Sequence, residues 1–216
     1  MFTGLIEAIC KVTSVQPAAG LPKGGLLTID LGNLAADARV GDSIAINGAC
    51  LTIARLNGTL ATFELSGETL TRTTLGKLNP ASQVNIERAM KASDRFGGHF
   101  VQGHIDGVAK IASIDRTGEF AEMKFAAGPE LLGQMVVKGS VAIDGISLTA
   151  AGMDSTGFRV AIIPQTLKKT TLGSAKTGDL VNIETDIIVK TIKKQLEMLL
   201  PQKQTLTVEK LRQLGF

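Results

Sequence analysis

The chain contains no tryptophan and no tyrosine, and only two histidines and two cysteines among its 216 residues. Each scarcity excludes something. Cys10 and Cys50 cannot build a disulfide framework, and with no C-x-x-C pair there is no sign of zinc or redox work, so both are expected as free thiols. No apolar stretch approaches the roughly 18 residues that a membrane span needs. The start, Met1-Phe2-Thr3-Gly4-Leu5-Ile6-Glu7, lacks the basic segment that opens a secretory signal. A cytoplasmic protein with no membrane partner is expected. The 23 Lys and Arg and the 20 Asp and Glu are scattered, and without a basic run or interleaved aromatics there is no footprint for nucleic acid. The glycine-rich patches hold neither G-x-G-x-x-G nor a Walker pattern, which leaves nucleotide cradling without support. What remains is 44% apolar and 20% charged residues, a balance that excludes disorder and suffices for two small cores.

The positive signal is a repeat. Ser43-Ile-Ala-Ile-Asn-Gly-Ala-Cys-Leu-Thr52 and Ser140-Val-Ala-Ile-Asp-Gly-Ile-Ser-Leu-Thr149 share six of ten positions at an offset of 97. The same offset lays Glu68-Thr-Leu-Thr-Arg-Thr-Thr-Leu-Gly76 on Gln165-Thr-Leu-Lys-Lys-Thr-Thr-Leu-Gly173, and Val84-Asn-Ile-Glu87 on Val181-Asn-Ile-Glu184. Gly4-Leu-Ile-Glu7 meets Gly103-His-Ile-Asp106 at an offset of 99, which requires a two-residue difference in a loop between. Two units this long are a duplicated pair of compact domains and not a solenoid, whose units are shorter and more numerous. The expected domains are 1–97 and 98–186, followed by a helix and tail over 187–216.

Within each copy, short runs rich in Val, Ile, Thr and Phe lie between Gly, Asn and Asp, the pattern of an all-β sandwich or barrel. Strands are expected at Leu26 to Leu31, Ser43 to Ile46, Leu51 to Leu56, Ala61 to Leu65 and Gln83 to Arg88, with tight turns at Asn47-Gly48 and Asn57-Gly58. One short helix per copy is expected in the Thr-Leu-x-x-Thr-Thr-Leu-Gly segment, with Pro164 in its first turn and Gly173 as its C-terminal cap. After the second copy, Ile188, Val189, Ile192, Leu196 and Leu199 recur at helical spacing. That stripe either packs on its own barrel or forms an oligomer contact. Pro201 should end the helix.

Positions where the copies differ point to chemistry, because structural needs would be shared. Cys50 aligns with Ser147, and His104 replaces Leu5. Cys50 reads either as a small buried hydrophobe or as a reactive thiol. His104 reads as a satisfied structural histidine or as a proton-transfer group. Both histidines fall in Gly97-Gly-His-Phe-Val-Gln-Gly-His104, and their odd spacing does not suit a metal pair. Lys138 replaces Gly41 and Asp186 replaces Ala89, each either a solvated charge or a functional group. Ser43 with Ser140 and Thr52 with Thr149 are matched, so they serve turns or hold the same ligand twice.

Taken together, Met-Phe-Thr-Gly at the start, Asn-Gly-x-Cys-Leu-Thr with Asp-Gly-Ile-Ser-Leu-Thr, Glu-Thr-Leu with Gln-Thr-Leu, and Gly-Gly-His-x-x-x-Gly-His-Ile resemble the riboflavin synthase family, α-chain type. The match runs from Met1 to about Leu200. The resemblance implies two tandem six-stranded Greek-key barrels, a C-terminal α-helix, and a homotrimer assembled through that helix. It implies a cofactor-free dismutation of two molecules of 6,7-dimethyl-8-ribityllumazine by four-carbon transfer, giving riboflavin and 5-amino-6-ribitylaminouracil. Association with lumazine synthase is a further possibility from the resemblance. A non-catalytic lumazine- or flavin-binding antenna protein of the same fold is the alternative. By matching motifs, the pocket of the first barrel comprises Gly4, Leu5 and Ile6, then Cys50, Leu51 and Thr52, then Glu64, Leu65, Ser66, Gly67, Glu68 and Thr69. That of the second comprises Gly103, His104 and Ile105, Lys138, then Ser147, Leu148 and Thr149, then Ala161, Ile162, Ile163, Pro164, Gln165 and Thr166. The reactive set implied is Phe2, Ser43, Cys50, His104, Thr149 and Asp186. His104 and Thr149 are expected to help deprotonate the acidic C7 methyl of one lumazine, with Ser43 and Cys50 assisting addition at the other.

Overall fold

The computed structural model describes residues 1–17 and 24–199. Twelve strands close into two barrels. The first is made of β1 (Ala8–Pro17), β2 (Gly25–Asp30), β3 (Ser43–Ile46), β4 (Ala49–Asn57), β5 (Leu60–Leu65) and β6 (Gln83–Arg88), in the order β1-β2-β5-β4-β3-β6. The second is made of β7 (Gly107–Thr117), β8 (Phe120–Ala126), β9 (Ser140–Ile143), β10 (Ile146–Asp154), β11 (Gly157–Ile162) and β12 (Leu180–Thr185), and it repeats that order strand for strand. All neighbours are antiparallel. Strands β3 and β6 occupy the residues the sequence indicates, and β2, β4 and β5 differ only at their ends.

Alternation builds each core. Along β2 the buried positions are Gly25, Leu27 and Ile29, and along β8 they are Ala121, Met123 and Phe125, which puts every second side chain inside. Closing a small barrel needs bent strands, and a bulge supplies the bend. The register slips between Val12 and Ser14, and again between Ile53 and Arg55. It slips at the matching places of the second copy, between Ile111 and Ser113 and between Ala150 and Gly152. Asn47 and Gly48 both take positive φ, at 44° and 80°, as Asp144 and Gly145 do at 45° and 80°, the backbone of a two-residue hairpin turn.

Short helices α1 (Gly67–Arg72) and α3 (Pro164–Lys169) set Leu70 and Leu167 against the first and second cores, α2 (Pro129–Leu132) lies in the second copy alone, and α4 (Ile187–Leu199) follows the second barrel. Pro164 stands in the first turn of α3, as expected. Gly173 does not cap it: α3 stops at Lys169 with Thr170 extended, and a separate 3₁₀ turn covers Thr171–Gly173. What requires glycine there is close packing, since a Cβ would sit 2.0 Å from the Leu167 carbonyl oxygen. Helix α4 buries none of its residues, so it does not pack its stripe on its own barrel. It is pinned by Lys190, whose Nζ meets Asp106 Oδ2 at 2.8 Å, and by Lys193 Nζ on the Gly133 carbonyl at 3.1 Å. Ile192 is left 54% exposed. The expected stop at Pro201 and the tail beyond it lie outside the described residues.

An approximate two-fold axis relates the barrels, and the seam is built from matched polar residues. The Asn85 side chain, fully buried, donates from Nδ2 to the Asp144 carbonyl (3.0 Å) and accepts the Thr171 N–H at Oδ1 (2.8 Å). Asn182 does the same in reverse, to the Asn47 carbonyl (2.8 Å) and from the Thr74 N–H (2.7 Å). Each amide is satisfied on both ends, which its burial demands. At the axis the turns touch: a Cβ on Gly48 would lie 2.6 Å from the Gly145 nitrogen.

Candidate functional site

Two buried carboxylates fix the loops that matter. Glu87 on β6 accepts the Thr3 N–H (2.6 Å) and hydroxyl (2.7 Å) at Oε1 and the Gly4 N–H (3.0 Å) at Oε2. Glu184 on β12 accepts the N–H groups of Gln102 (2.7 Å), Gly103 (2.9 Å) and His104 (3.1 Å). Burial raises the pKa of both carboxyls, and the backbone donors oppose that rise. A carboxylate this deep without donors would be strongly unfavourable, so each loop and its carboxylate hold one another.

The loops then cross over. Phe2 and Val101 form an antiparallel bridge, and past it each leading segment lies against the other copy's barrel. Ser147 donates its N–H to the Gly4 carbonyl (2.8 Å), and Cys50 donates its N–H to the Gly103 carbonyl (2.9 Å). Both glycines sit at positive φ, 79° and 83°, and a Cβ would meet the opposing Cβ at 2.6 Å in Gly4 and 2.4 Å in Gly103. Ile6 packs against the second core and Ile105 against the first.

This regroups the expected pockets. Gly4, Leu5 and Ile6 belong with Ser147, Leu148 and Thr149, and Gly103, His104 and Ile105 belong with Cys50, Leu51 and Thr52. The internal repeat aligns each loop with its own copy, but the crossing at Phe2 and Val101 delivers it to the other. His104 and Thr149, expected on one lumazine, are thereby separated within a chain. The backbone of His104 continues from the glycine that Cys50 binds, whereas Thr149 pairs with Ser140 on the second barrel.

The remaining residues take distinct places. Ser43 pairs with Thr52 across β3 and β4 and opens on a cleft of about 500 Å³ shared with Thr3, Leu5, Arg88 and Lys91. Thr52 and Thr149 are exposed, so both hydroxyls are free to meet a ligand. Leu51, Leu65 and Ile162 point into the barrel cores and can offer only backbone to a ligand. Glu64, Ala161, Ile163 and Gln165 are exposed on the neighbouring strand ends and turns, beside half-buried Pro164 and Thr166. The Ser66 hydroxyl caps α1 by accepting the Thr69 N–H (3.1 Å), and Glu68 pairs with Arg72 at the surface, with Gly67 opening that helix. Phe2 is fully buried among Ala45, Val101, Ala142 and Cys50, so its ring packs in the seam beside the Cys50 strand. Asp186 accepts the Ile188 N–H at Oδ1 (2.9 Å) and so opens α4. Lys138 takes φ +70° where Gly41 takes +96° in the first copy, a left-handed conformation that costs a lysine about 1 kcal/mol and so marks the position.

The residue that sequence reasoning passed over is His99. It is 7% exposed, its Nδ1 lies 2.7 Å from Ser147 Oγ, and its Nε2 is buried without a partner among the described residues. Burial lowers its pKa, against the opposing charge of Asp186. The signal was the Gly97-Gly98 pair before it: a Cβ on Gly98 would lie 1.9 Å from the Thr3 carbonyl oxygen.

The lumazine binding domain family matches residues 3–89 and again residues 102–186. The chain is 42% identical over 219 residues to riboflavin synthase of Actinobacillus pleuropneumoniae, covering 100% of each. It is 38% identical to that of Bacillus subtilis, also covering 100% of each, and 40% identical to that of Schizosaccharomyces pombe over 91% of this chain and 94% of the relative. Among solved structures it resembles LumP complexed with 6,7-dimethyl-8-(1'-D-ribityl) lumazine, with a TM-score of 0.77 at 19% identity, over 86% of this chain and 99% of the other.

Proposed function

The chain belongs to the lumazine binding domain family, in its riboflavin synthase branch, and from that premise we propose that it converts two molecules of 6,7-dimethyl-8-ribityllumazine into riboflavin and 5-amino-6-ribitylaminouracil. It is an enzyme of the transferase class. The observation that carries the reading is the pair of matched mouths, one built on Cys50 and one on Ser147, each closed by the other copy's glycine loop. A reaction between two identical molecules needs two alike binding places whose reactive groups differ, and that is how these mouths are made.

Each barrel mouth holds one lumazine, the pyrimidine edge read by backbone groups near Gly4 and Gly103 and the ribityl chain by hydroxyls such as Thr52 and Thr149. The complete site pairs the first barrel of one subunit with the second barrel of its neighbour. Holding two rings face to face supplies roughly 7–11 kcal/mol of the barrier lowering through proximity alone. Ser43, Cys50, His104 and Thr149 assist proton transfer and addition, Lys138 reaches into the site from its strained turn, and Phe2 and Asp186 position their neighbours. The exposed stripe of α4, with Ile188, Ile192 and Leu196 each half exposed or more, supports a homotrimer joined through that helix. The two free thiols suit a reducing, cytoplasmic setting.

The deciding experiment adds 6,7-dimethyl-8-ribityllumazine to the full chain without metal or cofactor and follows absorption. Growth of the riboflavin spectrum is expected. Lumazine that binds and never converts would overturn the reading in favour of the antenna class. For assembly, Ile192→Asp should lower the mass seen by light scattering from trimer to monomer and abolish turnover.

A further inference from the structure

The two mouths differ in how their central side chain is held. Ser147 is fixed twice, by its N–H on the Gly4 carbonyl (2.8 Å) and by its hydroxyl on His99 Nδ1 (2.7 Å). Cys50 is fixed by its N–H alone on the Gly103 carbonyl (2.9 Å). His99 is placed with some care: its own N–H binds the Thr3 carbonyl (3.2 Å), and Gly98 lets it approach Thr3 more closely than any side chain would allow. The strap that delivers the imidazole therefore rests on the same loop that Ser147 binds. A buried polar ring with one nitrogen left without a partner among the described residues is costly. An apolar ring would fill that space without the penalty.

We propose that His99 is a positioning residue of the second barrel's site, holding the Ser147 hydroxyl so that its lone pairs face the bound lumazine. Burial lowers the imidazole's pKa and so favours its neutral form, in which one nitrogen accepts and the other carries the proton. The proposed tautomer carries that proton on Nε2. Nδ1 is then the acceptor, Ser147 donates its O–H to it, and the serine oxygen presents itself to ligand only as an acceptor. In the first barrel the Cys50 thiol has no such partner among the described residues and keeps its rotational freedom. The linker thus deals one histidine to each mouth: His104 arrives on the loop beside Cys50, and His99 is buried behind Ser147.

This inference rests on the riboflavin synthase reading, and its test is a double-mutant cycle with lumazine turnover and binding both measured. His99→Phe keeps a ring and removes the acceptor, while His99→Asn keeps an acceptor close to the position of Nδ1. His99→Phe should lower kcat about tenfold, equivalent to about 1.4 kcal/mol, with KM changed less than threefold, and His99→Asn should stay within threefold of the parent. Ser147→Ala should lose as much as His99→Phe, and the double variant His99→Phe/Ser147→Ala should lose no more than Ser147→Ala alone. Additive losses, or an Asn variant as slow as the Phe variant, would overturn the proposal. Nitrogen NMR of the unaltered protein gives a second reading that does not depend on a variant folding: an Nδ1–H tautomer at His99 would also overturn it. A parent chain that binds lumazine and forms no riboflavin would count against the enzyme reading instead, and is seen before any variant is made.

Discussion

The first and second barrels share strand order, bulge positions and seam, yet their mouths are furnished differently. Where one holds a thiol and an exposed histidine on the neighbouring loop, the other holds a hydroxyl with a buried histidine behind it. Around these, the anchoring is the same in both: a buried glutamate gathers three donors from the loop, and a left-handed glycine lets the loop touch the strand. Duplication therefore preserved the anchoring and let the side chains at the two mouths diverge. The cores differ as well, since Phe125 and Phe158 stack at 5.3 Å in the second barrel whereas Phe63 lies opposite Leu27 in the first.

If the seam is symmetric in energy as it is in geometry, equivalent changes must cost the same. Gly48→Ala and Gly145→Ala should each destabilise by about 2–4 kcal/mol, because the turns are at positive φ and in backbone contact. Urea unfolding measures both, and a difference above about 1 kcal/mol would break the equivalence. Asn85→Leu and Asn182→Leu come next, at about 2 kcal/mol each, since each strands a buried carbonyl and a buried N–H on the opposite copy.

The mouths should then fail the same test. Cys50→Ser makes the first resemble the second without its imidazole, and should lower turnover about tenfold, or about 1.4 kcal/mol, with lumazine binding kept; stopped assays with binding by fluorescence check this. His104→Gln should act alike. Loss of binding in step with turnover would mean that these residues shape the pocket instead.

A pH-dependent effect sharpens a charged departure in the seam. Asp144 stands where the first copy has Asn47, and burial pushes its carboxyl up from 3.8 to about 7. With the folded pKa raised, the native state keeps a proton that the unfolded chain releases, so this group's contribution is fully present below pH 3.8 and is lost as pH rises toward 7. Asp144→Asn should leave stability unchanged near pH 3.5 and raise it at pH 8 by up to about 4 kcal/mol, read from thermal unfolding at the two pH values.

Much of the fold was legible because strands and turns are written in local patterns. Gln83 to Arg88 alternates polar and apolar residues, Ser43 to Ile46 is a short apolar run behind a serine, and Asn47-Gly48 can hardly be anything but a turn. The pairing of loops with mouths was not legible, since an internal alignment assigns Gly4 to its own copy and nothing local reveals the crossing at Phe2. The role of Gly173 was misread for a similar reason: glycine reports either a positive φ or a near neighbour, and only coordinates separate them. Cys50 and His104 stood out as breaks in the repeat. His99 has no partner in the first copy against which to stand out, so its pairing with Ser147 appeared only in space.

The crossed loops also bear on how the molecule comes apart. Each barrel's mouth is closed by a segment that belongs to the other copy, held by a carboxylate in that copy's last strand. Melting either barrel withdraws a loop from its neighbour and leaves a buried glutamate or asparagine without its donors. The two halves should therefore lose structure in a single cooperative transition, and calorimetric and van't Hoff enthalpies should agree over the whole pair of barrels and not over one.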